Sequence, residues 1–128
     1  MGAELQRLAA EKYVLLTTFR TSGDAVPTPV WIAADDGELV LFSVRTAGKV
    51  KRIRREPHVE VVACDFRGRA THGRTVTGMA RILDDDATER IRRVIARKYG
   101  ITGRVTMFFS RLRGGPQRTV GIAVKLDE

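Results

Sequence analysis

The sequence predicts a mainly β domain of antiparallel strands, closed or partly closed into a small barrel, with short helices. Three observations carry this. Short runs rich in branched and aromatic residues recur along the chain, and tight turns such as Arg20-Thr21-Ser22-Gly23-Asp24 and Asp35-Asp36-Gly37 separate them. That is hairpin punctuation rather than a strand–helix–strand rhythm. Only two main segments carry a helical period. Finally, 128 residues suit one domain with a sizeable core, so we expect a single unit over residues 1–128. Closure protects strand edges, although an open sheet has the same periodicity and stays open as an alternative.

Residues 1–11 predict a short amphipathic helix, with Leu5, Leu8 and Ala9 on one face. Tyr13 to Phe19 reads as a strand, and Val26 to Ala33 as the strand returning from the turn at Arg20 to Asp24. A third strand covers Glu38 to Val44. A helix over Ala47 to Glu56 follows, with Thr46 as N-cap, Pro57 beyond its end, and Val50, Ile53 and the Arg54 stem on its buried face. His58 to Cys64 and Arg74 to Leu83 are strands around the polar connection Asp65 to Gly73; the second places Val76, Gly78, Ala80 and Ile82 on one side. Asp86 and Glu89 fit a capping box for the second main helix. Its apolar spacing runs through Ala87, Ile91, Val94, Ile95 and Lys98, Glu89 and Arg93 form a favourable pair, and Gly100 is the stop signal. Val105 to Arg113 reads either as a helix with Phe108 and Leu112 on one face or as irregular structure before Gly114-Gly115-Pro116. Thr119 to Leu126 closes the chain as a strand with Val120, Ile122, Val124 and Leu126 alternating.

Hydrophobic residues make up 43% and charged residues 30%, which suits a globular protein and excludes disorder. No apolar stretch reaches membrane-helix length, and the start lacks a basic segment followed by an apolar one. A single cysteine excludes an internal disulfide, so a cytoplasmic location without membrane partners is expected. The net charge of +8 comes from 18 Arg and 5 Lys against 15 acids. Nucleic acid is the first partner such a charge suggests. No recognition-helix motif or aromatic ladder accompanies it, so a specific nucleic-acid partner is not expected.

The informative segment runs from Ser43 to Pro57. Between Arg45 and Arg55 it carries six cations and no acid. Lys49 and Lys51 fall in the opening turn of the predicted helix, where cations oppose the helix dipole. A bound anion reverses that balance: free amides after Thr46 cradle a phosphate, Ser43 or Thr46 donates a hydroxyl hydrogen bond, and Lys49 supplies charge. The competing reading is a solvated basic helix. The glycine spacing of a Walker A loop is absent.

Val26-Pro27-Thr28-Pro29-Val30-Trp31 is the second segment of interest. Its prolines restrict the backbone and expose groups at a strand edge. A flat heteroaromatic ring fits against Pro27, Thr28 and Trp31, while packing in the core is the favoured role for Trp31. His58 and His72 lack companions at metal-ligand spacing, so no metal site is expected. Cys64 reads as a buried small residue, Asp65 as a turn residue, and Tyr99 as packing a helix end or reaching a pocket. No hydrolytic triad assembles, and no catalytic residue is singled out.

The order of segments from Tyr13 to Leu126, with the patterns Gly23 to Trp31, Ser43 to Pro57, Val59 to Asp65 and Gly78 to Leu83, resembles the split β-barrel family of pyridoxamine phosphate oxidase and the F420-dependent reductases. The nearest likeness is to its actinobacterial deazaflavin-dependent branch. The resemblance implies a homodimer with cofactor sites at the subunit interface. It sets the cofactor phosphate near Ser43, Thr46 and Lys49, with Lys51 or Arg52 as further cations. Pro27, Thr28, Pro29 and Val30 approach the ring system, Trp31 supports that strand, and residues near Tyr99 and Phe108 come from the neighbouring subunit. It implies coenzyme F420 as cofactor, with FMN as the alternative, and hydride transfer to a small electron-poor organic substrate. A non-catalytic flavin or deazaflavin carrier is the competing class, and a nucleic-acid binder the third.

Overall fold

The computed structural model describes residues 2–114 and 119–128, with side chains for 2–100 and 119–128. In chain order the elements are α1 (Ala3–Ala9), β1 (Val14–Phe19), β2 (Ala25–Val30), β3 (Ala33–Asp35), β4 (Glu38–Val44), α2 (Gly48–Arg55), β5 (His58–Cys64), β6 (Thr71–Ile82), α3 (Asp85–Gly114) and β7 (Thr119–Leu126). The strands form one seven-stranded sheet ordered β2-β1-β5-β6-β7-β4-β3, and every neighbouring pair is antiparallel.

That order fixes the curvature. β2 and β3 are the two edges, yet only Trp31 and Ile32 separate them in sequence. Three Cα–Cα steps span at most about 11 Å, whereas the edges of a flat seven-stranded sheet lie about 29 Å apart. The sheet therefore bends almost back on itself, leaving a seam without ladder pairing between β2 and β3. This is the partly closed barrel of the sequence reading. Its core collects Val14 and Leu16 of β1, Leu39 and Leu41 of β4, and inward residues of β5, β6 and β7, together with Leu8 of α1 and Val50 and Ile53 of α2.

The expected single strand Val26 to Ala33 is thus two strands on opposite edges. Ile32 leaves the ladder because α3 satisfies its backbone. Its N–H donates to the Tyr99 hydroxyl at 2.9 Å, and its carbonyl accepts from Lys98 Nζ at 2.6 Å. The Lys98 ammonium also reaches the carbonyls of Ala9 and Glu11, so one side chain ties three segments together.

Other boundaries need smaller corrections. β6 begins at Thr71, earlier than expected, because its first residues still pair with β5. β7 is buried on both faces rather than alternating, since Ile91 and Ile95 of α3 cover its outer side around Ala123. Asp84, not Asp86, caps α3: its carboxylate accepts from the Ala87 N–H at 2.8 Å. Glu89 takes buried Arg92 at 2.7 Å rather than Arg93. Gly100 breaks the helical path at φ 60 and ψ −136, a conformation open to glycine, but helix resumes through Gly114. The side chains of Phe108 and Leu112, and the Gly115-Pro116 stop, lie outside the described residues.

Candidate functional site

β1 and β4 each carry an inward apolar row that ends in a hydroxyl. On β1 the row is Val14, Leu16, Thr18; on β4 it is Leu39, Leu41, Ser43. Thr18 is 1% and Ser43 7% exposed, so both hydroxyls belong to the interior. The antiparallel pairings make β1 and β4 run in the same direction, which sets both hydroxyls at the same end of the barrel. α2 lies across that end and inserts Val50 and Ile53 into the core.

Each hydroxyl holds one cation of α2. Lys49 Nζ donates to Ser43 Oγ at 3.1 Å, and Arg52 Nε donates to Thr18 Oγ1 at 2.7 Å. Lys49 and Arg52 are three apart and therefore share a helix face. Among the described residues neither has a carboxylate partner. Burial, and then the Arg52 charge beside it, hold the Lys49 ammonium below its ordinary pKa. A bound anion complements such a cation pair.

The head of α2 points the same way. Its N-cap is Ala47, with no side-chain cap, and the first hydrogen bond of the turn runs from the Val50 N–H to the Ala47 carbonyl. The amides of Gly48 and Lys49 precede that bond and stay available. Thr46 is exposed and is not the cap, because the chain enters α2 one residue later than expected. Lys51 is exposed on another face of the helix, and so is Arg54, whose stem is not part of the buried face. The structure thus brings Ser43, Lys49 and Arg52 together and leaves Thr46 and Lys51 outside. A phosphate group fits this donor set: two amides, an ammonium and a guanidinium, with no competing acid among the described residues.

β2 lies one strand from this site. Thr18 pairs with Val26, Leu16 with Thr28 and Val14 with Val30. Directly opposed residues share a face, so Thr28 and Val30 lie on the inner side with Thr18, and Val30 packs against the core. Pro27 and Pro29 pair with Thr17 and Leu15 on the outer side. The edge position accounts for both prolines, which have no N–H to give a further strand. Trp31 does not face this site: it stacks on Tyr99, with ring centroids 4.2 Å apart.

The remaining candidates have structural partners. The Asp65 carboxylate accepts from the Arg69 and Ala70 amides, as a turn residue does, and these bonds lower its pKa. Burial pushes the Cys64 thiol up, away from thiolate chemistry. His58 stacks on Phe19, and His72 lies 2.8 Å from Glu11. Among the described residues no cluster suits a metal ion, and no helix is long and apolar enough to cross a membrane. Sequence reasoning missed Thr18. The signal was present, since a threonine ends a row that otherwise alternates inward valine and leucine.

The sequence matches the family described as pyridoxamine 5'-phosphate oxidase over residues 1–125. Among solved structures it is similar to a conserved hypothetical protein of Mycobacterium tuberculosis, with 21% identity, a TM-score of 0.75, and coverage of 100% of this chain and 81% of that one. It is similar to an F420 reductase at 18% identity and a TM-score of 0.66, covering 96% of this chain and 93% of that one. A FAD-binding protein of Mesorhizobium loti matches at 17% identity and a TM-score of 0.64, with 100% and 91% covered. At these identities the likeness is one of fold. No curated protein sequence matches the chain.

Proposed function

The chain belongs to the pyridoxamine 5'-phosphate oxidase family, and from that premise we propose that it is an F420-dependent reductase acting on a small electron-poor organic substrate. The observation carrying this reading is the acid-free pair Lys49 and Arg52, each anchored on a buried hydroxyl at the head of α2. It gives the tail phosphate of a flavin-type cofactor its counter-charges. Likeness in fold to an F420 reductase favours the deazaflavin.

In this reading Ser43, Lys49 and Arg52 grip the phosphate, while Thr28 and Val30 line the inner side of β2 toward the ring system. Pro27 and Pro29 shape that edge without facing the anion site. Thr46 and Lys51 contribute charge and polarity at its rim and no direct contact. A reduced deazaflavin supplies a transferable hydride when bound. The chain's part is to bind, orient and exclude water, and among the described residues no carboxylate or imidazole partners the anion-site cations. The reading includes a homodimer that shares its sites, supported by the half-exposed outer face around Leu15, Pro29 and Val62 and by exposed Phe66.

Parallel titration of apo-protein with F420 and FMN at one salt concentration tests the cofactor. Preference for F420, followed by turnover with a reducible substrate, supports the proposal. Strong preference for FMN transfers the same site to flavin chemistry, which likeness to a FAD-binding protein favours as the second reading. Tight binding without turnover identifies a carrier. Salt-sensitive nucleic-acid binding without either cofactor overturns the reading.

A further inference from the structure

Thr18 occupies a place where an apolar residue is the ordinary choice. It is 1% exposed and ends the inner row of β1 after Val14 and Leu16. A hydroxyl buried there costs stability unless it is bonded, and its partner is Arg52 Nε at 2.7 Å. That bond uses the inner N–H of the guanidinium and turns the two Nη groups away from the core. They lie over Gly48: a Cβ built on that glycine would stand 2.7 Å from Arg52 Nη1 and 3.5 Å from Nη2. Gly48 has an ordinary helical backbone, so the seat for the guanidinium is its distinctive use. No hydrogen-bond partner meets the Nη groups among the described residues, and they sit beside the free amides that open α2.

We infer that Thr18 is a positioning residue of the anion site. Its buried hydroxyl locks Arg52 in one orientation, with Gly48 as the floor, so that the Nη hydrogens present a fixed fork to a phosphate oxygen. Arginine's five donors make this possible: one is spent on the scaffold and a planar pair is kept for the ligand. The inference rests on the anion-site reading above and extends it to two residues that touch no ligand through their own side chains.

The test compares ligands that differ in the phosphate-bearing tail: FMN against riboflavin, and F420 against its free deazaflavin chromophore. Thr18→Val keeps the shape and removes the acceptor, whereas Thr18→Ser keeps the acceptor. Gly48→Ala, on the exposed side of α2, displaces the guanidinium without touching the barrel interior. Calorimetric titration is expected to show about tenfold weaker binding of the phosphate-bearing ligand in Thr18→Val and Gly48→Ala. Thr18→Ser should stay near wild type, and phosphate-free ligands should bind all four proteins alike. If wild type prefers the phosphate-bearing ligands and both variants keep that preference, the Thr18 inference fails alone. Equal loss for both ligand types also overturns it, because that marks a general packing defect. If wild type shows no phosphate preference, the anion-site reading falls and the inference with it.

Discussion

The Trp31 indole and the Tyr99 phenol stack 4.2 Å apart with planes only 9° from parallel. The Tyr99 hydroxyl then accepts from the Ile32 N–H and donates to the Lys12 carbonyl. One aromatic pair thus clamps the two-residue span that joins opposite edges of the sheet. Tyr99→Phe keeps the stack and orphans the Ile32 amide, so we expect a loss of about 1–3 kcal/mol in denaturant unfolding. An unchanged midpoint would show that the hydroxyl does not hold the seam.

Burial pushes the Tyr99 phenol up to about 12 from its ordinary 10.0. The native state therefore keeps a proton that the unfolded chain loses first. This contribution is complete below pH 10 and is lost as pH rises through about 12. Stability, measured by unfolding between those values, should decline more steeply for wild type than for Tyr99→Phe.

Lys49→Met keeps an apolar stem and removes the ammonium that bonds Ser43. Affinity for the phosphate-bearing cofactor should fall by about 10- to 100-fold, the range for a charge-assisted hydrogen bond. Folding should not suffer, because burial already disfavours the Lys49 charge. A melting temperature at or above wild type, together with weak binding, is the expected pairing. Retained affinity would remove Lys49 from the site.

The lowered Lys49 pKa also sets a pH limb for binding. An anion favours the charged ammonium, so binding draws a proton onto Lys49 as pH approaches its depressed pKa. Affinity should decline as pH rises through that value, below the ordinary 10.5, and the limb should vanish in Lys49→Met. Without ligand the sign reverses: the stability cost of the buried charge is present at neutral pH and relieved as the lysine deprotonates.

Gly78 tests the barrel wall. A Cβ there would stand 2.7 Å from the Lys125 carbonyl oxygen and 3.0 Å from Val124 Cγ1. The first contact is backbone, so rotamer changes cannot relieve it. Gly78→Ala should cost about 1–3 kcal/mol in thermal or denaturant unfolding, and an unaltered midpoint would show that β6 and β7 can separate to admit the methyl.

Local signals made much of this legible. β4, β5 and β7 take their expected bounds because turn residues flank them; Asp36 and Gly37, at φ 52 and 78, are the left-handed pair a tight hairpin uses. The capping box expected at Asp86 and Glu89 gives way to Asp84, whose carboxylate takes the Ala87 N–H. Ser43 and Lys49 were readable together because they are close in sequence. The Arg52–Thr18 bond was not, since it joins α2 to β1 through the curvature of the sheet. Charge alone does not separate Lys51 from Lys49, whereas the helical period turns Lys51 to an exposed face. The break at Trp31 and Ile32 was hidden too, for the hydroxyl and ammonium that cap Ile32 come from α3.

Ser43 sits on β4, whose hydrogen-bonded neighbour in register is Val120 of β7. The strand that supports the proposed anion-binding end is therefore made after every other strand of the sheet. A growing chain carries Thr18, Lys49 and Arg52 well before it can assemble them, and it must keep the β4 edge unpaired in the meantime. Late closure of this kind slows folding and leaves an unpaired edge open to aggregation. Under the proposed function, cofactor loading follows synthesis of β7, and a nascent chain stalled before Thr119 should retain no phosphate-bearing ligand.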